Sequence, residues 1–263
     1  FAYGLQMVDA LIRSRIARHV LLVGTDVHTS LMPFSQRTWA VLEGREEGPI
    51  SAEEFAWNSR FRHLLVLFGD GAGAMVFRAS EEDDGRGILG ARLYGDGNHQ
   101  DILTVPGLGS SRRPFVTAEQ IAAGETVPVM DGRKVFKFAV TLMPQVAAAL
   151  LAEHGLAVSD LDLFVMHQAN LRINEAAQKA LGLPDAKVHN NIQKYGNTTS
   201  ATLPLCFHEA RLAGKAPEGA LVEFAAGYYQ RGLGELALAV LPPELRKLDA
   251  SQLAQRVRRL HKR

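Results

Sequence analysis

The sequence predicts a layered α/β fold, and three observations lead there. From residue 134 onward, helical and strand-like patterns alternate, the order expected of a sheet covered by helices. Short apolar runs stand as strand candidates, among them 19–24 (HVLLVG), a continuous run ending in glycine that reads as a buried strand. The first third repeats the order helix, strand, Gly-rich turn, strand, which points to an internal duplication. Alternation of this kind predicts a largely parallel inner sheet.

Taken in order, Val8, Leu11, Ile12 and Ile16 fall at helical spacing with Asp9, Arg13 and Arg15 on the opposite face, so the chain opens in a helix. There is no initiator methionine, and the expectation is that a preceding piece has been removed or is not shown. After the strand at 19–24, residues 27–63 mix Pro33, Trp39, Trp57 and many charges in a long, partly helical excursion. Residues 64–68 and 74–79 read as strands around Gly69-Asp70-Gly71-Ala72-Gly73. A dinucleotide site needs such glycines to open a helix. Here Met75-Val76-Phe77 follows, so the run reads as a tight turn between strands, with glycines giving positive φ or close backbone approach. Residues 80–131 read as loops over a sheet. From Lys134 to about Glu153 comes an amphipathic helix with Val135, Phe138, Ala139, Leu142 and Val146 on one face. The alternation continues with strand 161–166, helix 171–182, strand 187–191, helix 199–213, and strands 220–225 and 235–241. The tail 242–263 is rich in Lys and Arg and reads as a solvated helix or a docking surface for an acidic partner.

Bulk properties narrow the function classes. The 263 residues carry a formal net charge of +1, which gives no general reason to bind nucleic acid. No continuous apolar run reaches the length of a membrane span, and no signal-peptide pattern opens the chain. One cysteine, Cys206, cannot form an internal disulfide, so a reducing cytoplasm is the expected location. Cys206 lies mid-helix among Leu203, Leu205 and Phe207 and reads as a small buried hydrophobe, not a nucleophile. No His pair stands at metal-ligand spacing and there is no C-x-x-C, so no metal site is expected. No G-x-S-x-G elbow supports a serine hydrolase.

The chemistry concentrates in Met166-His167-Gln168-Ala169-Asn170-Leu171-Arg172 and, thirty residues beyond the histidine, Tyr195-Gly196-Asn197-Thr198-Thr199-Ser200. His167 and Asn197 each follow a strand-like run, so both can reach the same end of a sheet. A neutral imidazole N–H and a carboxamide NH₂ are uncharged donors. Aimed at one carbonyl oxygen, they would stabilise an enolate. Either residue alone reads as a buried histidine or a turn asparagine; the pair in this context reads as an oxyanion site.

These residues resemble a known family. Val23-Gly24-Thr25-Asp26, Phe68-Gly69-Asp70-Gly71-Ala72-Gly73-Ala74, Lys134-Val135-Phe136-Lys137, His167 to Ile173 and Gly196-Asn197-Thr198 are similar, in order, to the later two-thirds of a β-ketoacyl-acyl-carrier-protein synthase III. The resemblance covers roughly 1–26, 64–80 and 130–241, and is weak over 27–63. It implies the thiolase-like fold, two duplicated βαβαβ-type halves in αβαβα layers, with the N-terminal half incomplete here. On that basis residues 1–133 are the remainder of the N-terminal half, with a long insertion at about 27–63. Residues 134–241 are the C-terminal half, and 242–263 a basic extension.

The resemblance also implies an activity: an acyl-CoA primer loads a cysteine, and malonyl-acyl-carrier-protein then condenses with it after losing CO₂. The family's nucleophile stands in a Cys-x-Gly-Phe context whose Phe looks like Phe1, so the cysteine is expected just upstream. His167 and Asn197 would bind the enolate oxygen, and the amide of Gly227 the condensation oxyanion. Asn170 would touch the pantetheine arm, and Arg172 would dock the acidic carrier protein. No cofactor is implied beyond the substrates acyl-CoA and malonyl-acyl-carrier-protein; the implied partner is acyl carrier protein and the implied assembly a homodimer. The alternatives are a starter-unit condensing enzyme or acyltransferase of secondary metabolism, and a non-catalytic partner subunit of the same fold. Two departures bear on specificity. Ala225-Ala226-Gly227-Tyr228-Tyr229 stands where the family commonly has Phe-Gly-Gly-Gly-Phe, and the stretch between Asp26 and Phe68 is roughly two dozen residues longer than the familiar form. Both suggest a primer longer or more branched than acetyl.

Overall fold

The apolar runs of the sequence become two β layers with helices between and outside them. The computed structural model describes residues 1–81, 86–109, 113–228 and 233–238. Strands β1 (His19–Asp26) and β2 (Gly71–Arg78) pair antiparallel in a two-stranded ribbon, from His19 opposite Arg78 to Asp26 opposite Gly71. A four-stranded sheet runs β3 (Ala91–Leu93), β8 (Leu233–Leu238), β7 (Val222–Tyr228), β6 (Leu163–Met166), and β4 (Leu103–Thr104) pairs with β5 (Val129–Met130). In the four-stranded sheet only β6 and β7 are parallel; β7–β8 and β3–β8 are antiparallel. The expected largely parallel sheet is therefore mixed. A buried strand is apolar on both faces whichever way its neighbour runs, so its composition does not reveal direction. Strand β3, although it precedes residue 134, joins the sheet of the C-terminal segment through β8.

Helices α1 (Ala2–Arg13) and α8 (Thr202–Leu212) fill the space between ribbon and sheet. Ala2, Leu5 and Val8 of α1 pack with Leu203, Cys206 and Phe207 of α8, Met75 and Phe77 of β2, and Phe224 of β7. The far face of the sheet is covered by α5 (Gly132–Glu153) and α6 (Leu171–Leu181), with Met143, Ala147, Leu150 and Leu151 against Phe164, Met166 and Ala225. The layers thus run ribbon, helices, sheet, helices. The inward face of α5 is largely the predicted one: Ala139 is buried and Val135, Phe138 and Val146 pack against the core, but Leu142 is exposed and Met143 and Ala147 are buried beside them. In α1, Ile16 lies past the helix end and is exposed. By length and composition alone α5 would suit a membrane span, which a search for continuous apolar runs misses because charged residues lie at its start.

Three further sequence expectations change. Residues 64–68 are not a strand: α3 (Ala52–Leu65) runs into them, started by a capping box in which Ser51 and Glu54 satisfy each other's backbone. It packs Phe61 and Leu64 against Met32 and Val127, with Trp57 alongside, which makes the excursion a small helical subcluster with α2 (Gln36–Leu42). Residues 187–191 contribute only one bridge, Phe164 to Val188, after a 3₁₀ turn at Asp185–Lys187. The glycine run is not a turn, since β2 begins at Gly71 within it. Short helices α4 (Ala118–Ala122) and α7 (Ile192–Tyr195) complete the described elements. Tyr229 and the basic tail 242–263 lie outside the described residues.

Candidate active site

Strand β6 is buried at every position and delivers His167 at its C-terminal end, where the backbone N–H of His167 donates to the Ala225 carbonyl at 2.7 Å. His167 is 3% exposed. Burial pushes its pKa down to about 4, with the Asp26 carboxylate opposing the effect. The imidazole is therefore neutral at physiological pH and presents an N–H without a charge.

Gln168, which sequence reasoning did not single out, joins the two motifs. Its Nε2 donates to the Met166 carbonyl at 3.0 Å, and its Oε1 accepts from the backbone N–H groups of Asn191 and Ile192 at 3.1 and 3.3 Å. A fully buried amide with satisfied ends fixes the histidine turn relative to α7. The available signal was its place between His167 and Asn170, but glutamine carries no titration or ligand pattern to mark it.

Asn197 follows α7 and Gly196, which takes a positive φ of 65°. Its backbone is tied on both sides: N–H to the Leu67 carbonyl at 2.9 Å, and carbonyl from the Gly69 N–H at 3.0 Å. The Thr199 N–H donates to Asn197 Oδ1 at 2.9 Å. Since a donor faces Oδ1, the NH₂ is the end left to donate elsewhere. This loop sits directly on the ribbon, and the glycines allow it. A Cβ on Gly69 would lie 1.9 Å from the Tyr195 carbonyl oxygen, one on Gly73 2.6 Å from Pro204, and one on Gly24 2.3 Å from the Ser200 carbonyl. The run serves close approach, one of the two roles expected of it.

His167, Asn197 and Asn170 line one cleft of about 180 Å³ with Phe68, Met130, Phe136 and Ile173. His28 stacks on Phe68 at 4.7 Å, with its Nδ1 3.1 Å from the Gly69 carbonyl oxygen. Asn170 is exposed and caps α6, its Oδ1 accepting from the Arg172 N–H at 3.0 Å. Arg172 is exposed on α6 and does not line the cleft. Gly227 stands in β7 opposite Gly234, two residues past the Ala225 that holds His167. Cys206 is elsewhere: its fully buried thiol donates to the His189 carbonyl at 3.2 Å, and burial pushes its pKa up to about 12. That thiol is not a nucleophile. Among the described residues no cluster of three or more His, Cys, Asp or Glu stands ready for a metal ion.

Known proteins resemble this chain in sequence and in fold. Residues 151–232 match the family described as 3-oxoacyl-[acyl-carrier-protein] synthase III C terminal, and residues 50–97 match 3-oxoacyl-[acyl-carrier-protein] synthase III. A β-ketoacyl-[acyl-carrier-protein] synthase III of Granulibacter bethesdensis is 38% identical over 224 residues, covering 84% of this chain and 59% of that protein. The 3-oxoacyl-[acyl-carrier-protein] synthase III structure from Aquifex aeolicus superposes with a TM-score of 0.69 at 30% identity, over 91% of this chain and 64% of that one. The priming β-ketosynthase of the R1128 polyketide pathway gives 0.70 at 29% identity, over 92% and 64%. The chain thus spans about 60% of the length of the relatives it matches.

Proposed function

Because the chain belongs to the β-ketoacyl-[acyl-carrier-protein] synthase III family, we propose that the whole protein initiates fatty acid synthesis by joining an acyl-CoA primer to malonyl-acyl-carrier-protein. The observation that carries the reading is the shared cleft, which a neutral, buried His167 and Asn197, with its NH₂ left to donate, both line. In this reading an acyl group passes from CoA to a cysteine thiolate, releasing CoA thiol. Malonyl thioester then breaks its C–CO₂ bond, and the electron pair moves onto the thioester oxygen as an enolate held by the two donors. The enolate carbon attacks the acyl-cysteine carbonyl, the thiolate leaves, and a β-ketoacyl thioester remains on the carrier. Cys206 is unsuited to the first step; the resemblance implies an acylated cysteine just upstream of Phe1.

Losing one oxyanion donor costs about 10²–10³ in rate. The whole protein carrying His167→Ala or Asn197→Ala is expected to load acyl-CoA, seen as an intact-mass adduct, yet decarboxylate malonyl-acyl-carrier-protein slower by that factor. Since His167 titrates near 4, the wild-type decarboxylation rate should be level from pH 5.5 to 8.5. Wild-type decarboxylation in both variants would remove the reading, and an absence of acyl adduct on the wild type would leave a non-catalytic partner subunit. Gly227, Asn170 and Arg172 take the condensation oxyanion, the pantetheine arm and the carrier surface in the same reading. A cytoplasmic homodimer needing no further cofactor completes it. The likeness to a priming polyketide synthase favours one second reading, a specialised starter-unit enzyme with the same loading chemistry.

A further inference from the structure

We propose that Asp26 is a positioning residue for Asn197, holding the strained corner that aims its carboxamide. The inference rests on the role just assigned to Asn197. Asp26 ends β1, 174 residues before its partner, and its Oδ2 accepts from the Ser200 backbone N–H at 2.9 Å and from the Ser200 hydroxyl. Burial alone would raise the Asp26 carboxyl, but the Ser200 bonds, with the Thr199 side chain and His28, outweigh it and the net displacement is downward, so the acceptor is an anion. Charge-assisted bonds of this kind are the stronger class.

What those bonds hold is unusual backbone. Thr199 sits at φ 43°, a left-handed conformation that a β-branched residue adopts only under constraint. The same corner carries the Thr199 N–H that donates to Asn197 Oδ1. The other side of the corner is the ribbon itself: Gly24, two residues before Asp26, has no room for a Cβ because the Ser200 carbonyl rests on it. Leu67 and Gly69 already fix the Asn197 backbone, so the remaining freedom is that of its side chain. The path from Asp26 to Ser200, through the Thr199 corner to Asn197 Oδ1, removes it. Without the carboxylate, the 198–200 corner loses its anchor to β1 and the Thr199 N–H can drift from Asn197 Oδ1. The carboxamide is then free to rotate within the cleft.

The test uses the whole protein, with decarboxylation of malonyl-acyl-carrier-protein as the readout and acyl loading and thermal unfolding as controls. Misplacing a group by about 1 Å can cost up to 10²-fold. Asp26→Ala is expected to lower kcat roughly tenfold, leaving KM and acyl loading unchanged. Asp26→Asn, which keeps an acceptor oxygen, should restore most of the loss, and Ser200→Ala should reproduce part of it. In an Asn197→Ala background, Asp26→Ala should add nothing. Wild-type kcat in Asp26→Ala, or a full further loss in the double variant, overturns the inference while leaving Asn197 in its role. If Asp26→Ala does not fold, Ser200→Ala alone and in the Asn197→Ala background separates the same two outcomes. A wild-type rate in Asn197→Ala alone removes Asn197 from its proposed role, and this inference with it.

Discussion

At the scale of single residues, burial sets the chemistry that each titratable group can perform. His167 and Cys206 are both enclosed, and enclosure disfavours the charged form of each: the imidazole stays a neutral donor and the thiol stays protonated. Glu223 shows the same effect with no benefit to the cleft. It is fully buried in β7, both carboxylate oxygens lack a hydrogen-bond partner, and burial raises its pKa from 4.5 to about 9. The sign follows directly. Below pH 4.5 the group is protonated whether the chain is folded or not, so it imposes no penalty. As pH rises toward 9 the unfolded chain ionises while the folded one does not, and stability falls throughout that window. Glu223→Gln should therefore raise Tm at pH 8 by more than at pH 5, with about 2–4 °C for each kcal/mol regained. Equal gains at both pH values, measured by calorimetry, would show that Glu223 ionises normally in the fold.

Among elements, the loop from Tyr195 to Pro204 depends most on its neighbour. Gly69→Ala would drive a Cβ to 1.9 Å from the Tyr195 carbonyl, backbone against backbone, so the loop must lift. Overpacking of this sort costs about 1–3 kcal/mol. Gly97, where a Cβ meets nothing within 4 Å, is the matched control. Gly69→Ala should lower Tm and slow decarboxylation, while Gly97→Ala changes neither. Equal behaviour of the two variants would mean that the loop adapts to the ribbon at no cost. The sequence marks this element well, because glycines spaced two apart before a strand signal close approach, and Asn197 after Gly196 signals a turn. It marks direction and boundary poorly. The run 64–68 has strand composition, yet the Ser51–Glu54 capping box and the packing of Phe61 and Leu64 draw it toward α3. The run 187–191 has strand composition too, but makes only one bridge. Asp26 was visible only as part of a resembling motif, since nothing local announces a partner 174 residues away.

Over the whole molecule, the long excursion between β1 and β2 is what sets the cleft wall. Trp57 donates to the Pro33 carbonyl at 2.6 Å and packs on Phe61, so α2 and α3 form a cluster that ends at Leu67 and Phe68 on the cleft. If Ala225 replaces a bulky aromatic, as the resemblance implies, the proposed primer is longer or more branched than acetyl. Competition between acetyl-CoA and medium-chain acyl-CoAs for adduct formation on the whole protein checks this, and a clear acetyl preference sinks it. Seen from biosynthesis, the Asp26–Ser200 bond also has a meaning in time. The sheet supplies the histidine and the ribbon seats the asparagine, and translation makes the ribbon long before the serine that closes on it. A chain still on the ribosome, or trapped half-assembled, has no aligned pair of donors. On the proposed chemistry such a copy splits malonyl thioesters slower by about 10²–10³, so activated malonate is spent mainly by copies that have finished folding.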